Sequence, residues 1–284
     1  MLQETGDVKM RNLQASLDHL SIGSPDPGSL ASFYANALHL SVAAREGGAF
    51  ECTGRERRVL IVPGAKGTLN FVALNLPSRQ ALREFRARLA EEGVAIETAP
   101  PSLFGGEAFS IVDPDGNRLV FGHATREDTG DGMKARLQHF AIGTTDIDRA
   151  LAFYQQVVGL RTSDVVCSDD GRVRTAFLRA GDEHHIIAVF LAPKKSFDHH
   201  CYEAGDWALI RDWADHFGTL DIPLDWGPGR HGPGNNLFIM IRDPDRNWLE
   251  ISAELEVVPD FKPTGKWEHC QKTGNFWGVA YLRS

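Results

Sequence analysis

Three side chains in the later half of the chain have the chemistry to grip one divalent ion. Gly229-Arg230-His231-Gly232 leads into an apolar stretch, the turn Asp243-Pro244-Asp245, and then Asn247-Trp248-Leu249-Glu250-Ile251. Glu250 stands where two earlier histidines, His139 and His200, could meet it around a metal. Two neutral imidazoles and one carboxylate cover one face of an ion and leave the opposite positions open, the ligand set that suits non-haem Fe(II). With no thiolate in the set, Mn(II) also fits. A closed structural zinc site is less suited, because it normally takes four protein ligands.

The elements that must position these groups come from a repeat. Asp18-His19-Leu20-Ser21-Ile22-Gly23 is echoed by Gln138-His139-Phe140-Ala141-Ile142-Gly143, and Leu30-Ala31-Ser32-Phe33-Tyr34 by Ala150-Leu151-Ala152-Phe153-Tyr154, both at a shift of 120. Asp113-Pro114-Asp115-Gly116-Asn117 matches Asp243-Pro244-Asp245-Arg246-Asn247 at a shift of 130, so the second copy carries a modest insertion. Self-similarity over this length means a duplicated module. Each copy reads as a short strand carrying His-x-x-x-Gly, then an amphipathic helix, then strands separated by turns. In the first copy Leu30, Phe33, Tyr34 and Leu38 have helical spacing; in the second the helix runs from Ile147 to Val158 and stops at Gly159. Strands are expected at Val173–Leu178, Ile186–Leu191 and Asn236–Ile241. A further helix is expected from Ser78 to Glu91, matched by one from Trp207 to Phe217. The Asp-Pro-Asp segments are turns.

The expected fold is α+β, with two tandem modules of paired βαβββ units forming curved mixed sheets around a cavity. Residues 1–125 form the first module and 135–256 the second, joined by a polar, glycine-rich linker at 126–134 and followed by an extension at 257–284. The stretch Phe261 to Leu282, with Pro263, Trp267, Phe276 and Trp277, is too apolar for a free tail. It suits either covering the cavity or packing against a neighbouring subunit.

Length and charge narrow the classes further. With 284 residues the chain can bury two cores of ordinary size. A formal net charge of -8 argues against nucleic acid and anionic membranes as partners. No apolar run has transmembrane length, and Met1 to Asp7 lacks the pattern of a signal peptide. Four scattered cysteines, Cys52, Cys167, Cys201 and Cys270, show neither metal-knuckle nor redox spacing, so a cytoplasmic setting is expected.

The duplicated modules, the ligand spacing, the Gly-Arg-His-Gly segment and the late glutamate resemble the type I extradiol ring-cleaving dioxygenases of the vicinal oxygen chelate superfamily. The resemblance covers nearly the whole chain and is sharpest between His139 and Glu254. It implies Fe(II), a small aromatic diol and dioxygen as reactants, aromatic catabolism as the setting, and a homo-oligomer. In the family pattern the second histidine of a His-His pair is the ligand, which selects His200 over His199. The same pattern marks His185, 15 residues before His200, as the acid that protonates a developing oxygen anion, and His231 as the group that holds a substrate oxygen.

The first module lacks the set. His19 corresponds to His139, but Val120 stands at the position of Glu250, and Leu69-Asn70-Phe71-Val72-Ala73 contains no histidine. One metal per chain is expected. The chain also departs from the family at Met240, where a tyrosine commonly stands ten residues before the glutamate. A thioether cannot donate a hydrogen bond. Phe190, Trp207, Trp226, Phe238 and Trp248 suit either a pocket wall or plain core. Two other readings remain within the superfamily: a metal-dependent isomerase or lyase of glyoxalase type, which gathers ligands from both modules, and a sequestering protein that needs no metal.

Overall fold

The computed structural model describes residues 12–125, 132–260 and 262–283. Most of the expected linker, residues 126–131, and the first residue of the apolar C-terminal stretch, Phe261, lie outside the described residues.

Four βαβββ units follow one another. The first is β1 (Ser16–Ser24), α1 (Pro27–Leu38), β2 (Ser41–Ala44), β3 (Phe50–Gly54) and β4 (Arg57–Pro63). The second is β5 (Thr68–Asn75), α2 (Arg79–Glu91), β6 (Glu97–Thr98), β7 (Phe109–Val112) and β8 (Arg118–Gly122). The second module repeats the scheme with β9 (Arg136–Thr144), α3 (Ile147–Ala152), β10 (Arg161–Cys167), β11 (Val173–Arg179) and β12 (Ile187–Leu191). Its last unit is β13 (Ser196–Gly205), α4 (Trp207–Thr219), β14 (Trp226–Arg230), β15 (Leu237–Arg242) and β16 (Trp248–Ala253). The extension adds β17 (Gly265–Glu268) and the short α5 (Gln271–Gly274).

Within each module the two units join through their first strands, β1 with β5 and β9 with β13, both antiparallel. The sheets run β2-β3-β4-β1-β5-β8-β7-β6 and β14-β15-β16-β13-β9-β12-β11-β10-β17. The extension is therefore part of the second sheet, with β17 parallel to β10.

Local sequence explains the helix starts. Asp26, Ser78, Asp146 and Asp206 each accept a hydrogen bond from a backbone N–H of the first turn. The helix expected at Ile147–Val158 changes from α to π winding at Phe153 and ends at Gly159, whose φ of 91° favours glycine.

The repeated motifs also lock the modules together. The hydroxyl of Tyr34, on α1, donates to Asp243 Oδ2 at 3.2 Å, and that of Tyr154, after α3, donates to Asp113 Oδ2 at 2.9 Å. Each Phe-Tyr of one module thus meets the Asp-Pro-Asp turn of the other. Both tyrosines are fully buried, in a core that the two modules share.

Candidate metal centre

Strand register brings the candidate ligands together. His139 on β9 pairs with Cys201 on β13, and Cys201 pairs with Glu250 on β16. Side chains alternate along a strand, so His199 and Cys201 share the face that carries His139 and Glu250. His139 Nε2 lies 3.2 Å from His199 Nε2, and Glu250 Oε2 lies 3.3 Å from His199 Nε2 and 3.6 Å from His139 Nε2.

His200 does not join this cluster, which corrects the expectation from the His-His pair. It points to the opposite face, where its Nε2 is 3.0 Å from the Tyr34 hydroxyl and its Nδ1 is 3.0 Å from the Tyr202 hydroxyl. Both ring nitrogens are occupied in the core between modules. Burial pushes its pKa down to about 3, so it stays neutral.

The donor set fits a cation. His199 Nδ1 lies 2.6 Å from Asp198 Oδ1, and His139 Nδ1 lies 2.6 Å from Gln138 Oε1. Gln138 Nε2 in turn donates to the His185 carbonyl at 2.6 Å, which fixes its amide oxygen toward His139. Both imidazoles therefore carry their proton on Nδ1, and both Nε2 lone pairs face a carboxylate oxygen. Three buried acceptors converge with no donor among them, an arrangement that costs free energy unless a positive charge sits between them. Adjacent ligands on one ion with bonds of about 2.1 Å stand roughly 3.0–3.4 Å apart, close to what is seen. Partners on the far ring nitrogen are the usual means of orienting metal-binding histidines.

Electrostatics agree with that protonation pattern. Burial lowers the pKa of His139, against the opposing pull of Glu250. Burial works the other way on Glu250, but its contacts with His139 and the nearby His199 and His231 hold the carboxyl at about 2. Burial thus biases His139 toward the neutral ring, while Glu250 is held as the carboxylate.

Cys201 also lies near the set, with its Sγ within 4.8 Å of donor atoms on His139 and Glu250. The set His139, Cys201 and Glu250 would be a second possible cage. We favour His199, because burial, reinforced by the Glu250 charge, keeps the Cys201 thiol protonated and a thiol is a poor ligand.

The other two predicted histidines face the same cavity. The His185 ring is 4.2 Å from that of His139, centre to centre, and burial holds its pKa well below the usual value. His231 Nε2 is 3.8 Å from Glu250 Oε1, while its Nδ1 meets the Gly274 carbonyl at 2.6 Å. Its ring stacks on Phe238 at 3.9 Å. The cleft around them has a volume of about 720 Å³, part of it open to solvent, with Phe177, Phe190, Trp226 and Met240 among its walls. Met240 sits directly across from Glu250 in the β15–β16 register. Of the aromatics singled out above, Phe190 and Trp226 line the cleft, Phe238 and Trp248 pack beside Trp226 and Met240, and Trp207 is exposed against Trp277.

Several supporting groups escaped sequence reasoning. Asn236 donates to Glu250 Oε1 at 3.3 Å, and Arg283 holds Asp198. The adjacency of Gln138 to His139 and of Asp198 to His199 was the available signal for the orienting pair. Nothing in the sequence pointed to Arg283.

The first module shows what replaces a metal. Phe71 and Val120 take the positions of His199 and Glu250, since Ala73 pairs with both His19 and Val120 as Cys201 pairs with His139 and Glu250. His19 Nε2 accepts the backbone N–H of Leu103 at 3.1 Å, and the Phe104 ring packs 5.0 Å from it.

Comparison with known proteins adds relatives on both levels. Metapyrocatechase 2 of Cupriavidus necator is 26% identical over 281 residues, covering 89% of this chain and 85% of that protein. The manganese-dependent 2,3-dihydroxybiphenyl 1,2-dioxygenase of Geobacillus genomosp. 3 is 20% identical, covering 93% of each chain. The solved structure of homoprotocatechuate 2,3-dioxygenase from Arthrobacter globiformis superposes with a TM-score of 0.81 at 22% identity, over 98% of this chain and 93% of that one. The structural likeness speaks for the fold. The sequence profile described as Glyoxalase/Bleomycin resistance protein/Dioxygenase superfamily matches residues 16–121 and again 136–251. Those two segments coincide with the two sheets built from paired βαβββ units, and the chain belongs to that superfamily.

Proposed function

We propose that the protein opens the ring of a catechol-type diol beside its two hydroxyls, using dioxygen at one non-haem Fe(II) ion held by His139, His199 and Glu250; Mn(II) suits the same donors. The observation that carries this reading is the convergence of three buried acceptors, with no donor among them, on a cleft that also holds His185 and His231. The names of the relatives, metapyrocatechase and dihydroxybiphenyl dioxygenase, support the same substrate class. All of the proposed ligands come from the second module, unlike the two-module site of a glyoxalase-type isomerase.

The ion, when bound, supplies chelation of both diol oxygens, a lowering of their pKa, and an open position for dioxygen. The protein's own groups handle the protons. With its Nδ1–H given to the Gly274 carbonyl, His231 presents the Nε2 lone pair to the cleft and accepts a hydrogen bond from a diol hydroxyl. His185, kept neutral by burial, accepts the second hydroxyl proton and returns it to the oxygen that becomes negative as the ring is cleaved. Phe177, Phe190 and Trp226 give flat apolar walls that hold an aromatic ring and exclude water. Met240 leaves the position opposite Glu250 without a donor, so proton transfer rests on the two histidines.

The test is anaerobic loading with Fe(II), addition of catechol, and admission of dioxygen labelled with oxygen-18. A charge-transfer band on catechol binding, then oxygen uptake with both labelled atoms in the ring-opened product, is expected. Binding without oxygen uptake would instead indicate a sequestering protein, and turnover without oxygen an isomerase.

Two coarser expectations belong with this reading. No helix among the described residues is long and apolar enough to cross a membrane, and the four cysteines are free, which suits a reducing cytoplasm. Association of copies through the exposed Trp207, Phe276, Trp277 and Val279 fits a homo-oligomer, to be checked by light scattering.

A further inference from the structure

We infer that the C-terminal segment, residues 262–283, is a positioning device for the metal centre: it reaches three histidines of the site, His231 directly and His199 and His185 through intervening side chains. This rests on the ligand assignment above, although its test does not require turnover.

The most direct arm ends at Arg283. Its Nε lies 3.0 Å from Asp198 Oδ2 and its Nη2 lies 3.0 Å from Asp198 Oδ1, a two-pronged pair. Asp198 Oδ1 in turn accepts from His199 Nδ1 at 2.6 Å. The guanidinium is itself fixed, with its carbon 4.3 Å from the Trp248 ring centre and 5.3 Å from that of Trp226. The orientation of His199, and the tautomer that turns its Nε2 lone pair toward Glu250, are thus set from the far end of the chain.

The second arm is the Gly274 carbonyl on His231 Nδ1, at 2.6 Å. The third is less direct. Trp267 Nε1 donates to Asp164 Oδ2 at 2.7 Å, and the same oxygen lies 3.1 Å from His184 Nε2. That contact sets the Asp164 carboxylate against one ring nitrogen of His184. His184 Nδ1 then meets His185 Nδ1 at 3.0 Å.

Close backbone approach shows that this docking is built in. Gly232 N donates to the Thr273 carbonyl at 3.0 Å, and Phe276 N to the Arg230 carbonyl at 2.8 Å. A Cβ at Gly232 would come within 2.9 Å of the Trp267 ring and 3.0 Å of the Thr273 carbonyl. The glycine after His231 therefore makes room for the segment. The apolar tail thus covers the cleft and orders the groups beneath it, while its Phe276, Trp277 and Val279 stay exposed on the outer side.

The experiment is release of Mn(II) from the Mn-loaded protein to excess EDTA, with the electron paramagnetic resonance spectrum of the bound ion as a second readout. Arg283→Ala should release Mn(II) up to about 10-fold faster than the parent, at the low end of the cost of removing a histidine's direct partner, because Asp198 stands between the two. It should also change the spectrum while leaving the far-UV circular dichroism intact. Arg283→Lys should recover part of the retention. A chain ending at residue 282 removes the same side chain without inserting another, and should match Arg283→Ala even if that variant folds poorly. Parent-like release and spectrum in the Arg283→Ala and shortened chains would overturn the inference. Because Mn(II) retention is read without catechol, a parent protein that holds Mn(II) but cleaves no diol would refute the proposed reaction and leave this result standing.

Discussion

The Nε2 of His200 lies 3.0 Å from the hydroxyl of Tyr34, a residue of the other module. That contact separates two adjacent histidines into different roles, one buried at the module junction and one at the cleft. His199→Ala should therefore abolish metal retention. His200→Ala should keep a stoichiometric ion and instead cost about 1–3 kcal/mol of stability, because it leaves two buried tyrosyl hydroxyls short of a partner. Metal analysis and denaturant unfolding of the two variants check this directly. The reverse pattern would restore His200 as the ligand.

The choice between these histidines shows where the sequence runs out. Period-two alternation along β13 puts His199 and Cys201 on one face and His200 on the other. Which face looks into the cleft depends on how β13 pairs with β9, and the register shifts between Phe197 and His199. A bulge of that kind is a tertiary feature that alternation alone cannot locate. By contrast the repeat and the βαβββ units were legible from local signals, and the family resemblance marked His139, Glu250, His185 and His231, which line one cleft. The role of the C-terminal segment was not, since its contacts span up to 103 positions along the chain.

The Tyr34–Asp243 pair at the junction gives a pH signature. Burial, opposed by Asn247 and Tyr34, raises the Asp243 carboxyl to about 6 from an ordinary 3.8. A carboxyl whose folded pKa is raised contributes stability that is fully present below 3.8 and is lost as pH rises through 6. The full swing is on the order of 3 kcal/mol. Thermal melts of the parent and Asp243→Asn between pH 4 and 7 should show the parent losing stability relative to the variant across that window. Parallel curves would mean that Asp243 titrates normally.

Met240 faces Glu250 across the strand pair and is almost fully buried against Trp226, Phe238 and Trp248. Met240→Tyr would add a hydroxyl next to Glu250, but also volume in a packed cluster. An overpacking cost of about 1–3 kcal/mol is expected. The added bulk should also narrow the cleft, so the ratio of oxygen uptake with a phenyl-substituted catechol to that with catechol itself should fall. An unchanged ratio would show that Met240 does not bound the substrate.

Cys201 lies between His139 and Glu250 in the register yet is held as a thiol. Cys201→Ala should retain its ion and Mn(II) spectrum, with a stability loss of about 1 kcal/mol for the small cavity. Loss of the metal in this variant, with His199→Ala still metal-bound, would move the third ligand from His199 to Cys201.

The first module supplies the converse case. Its missing carboxylate was visible as Val120, but the way the space is used was not. The backbone N–H of Leu103 takes the nitrogen of His19 that would bind a metal, and Phe104 packs so closely that a Cβ on Gly122 would lie 2.3 Å from its ring. Restoring the ligand types is then insufficient. Phe71→His combined with Val120→Glu should bind no second ion, because His19 is already engaged and the cleft is filled. It should instead lose roughly 3–5 kcal/mol by burying an uncompensated carboxylate where Val120 was wholly enclosed. Metal-to-protein ratios and unfolding curves measure both effects. A second equivalent of Mn(II) in the double variant would show that the module lost its site through the ligands alone, with Leu103 and Phe104 free to move aside.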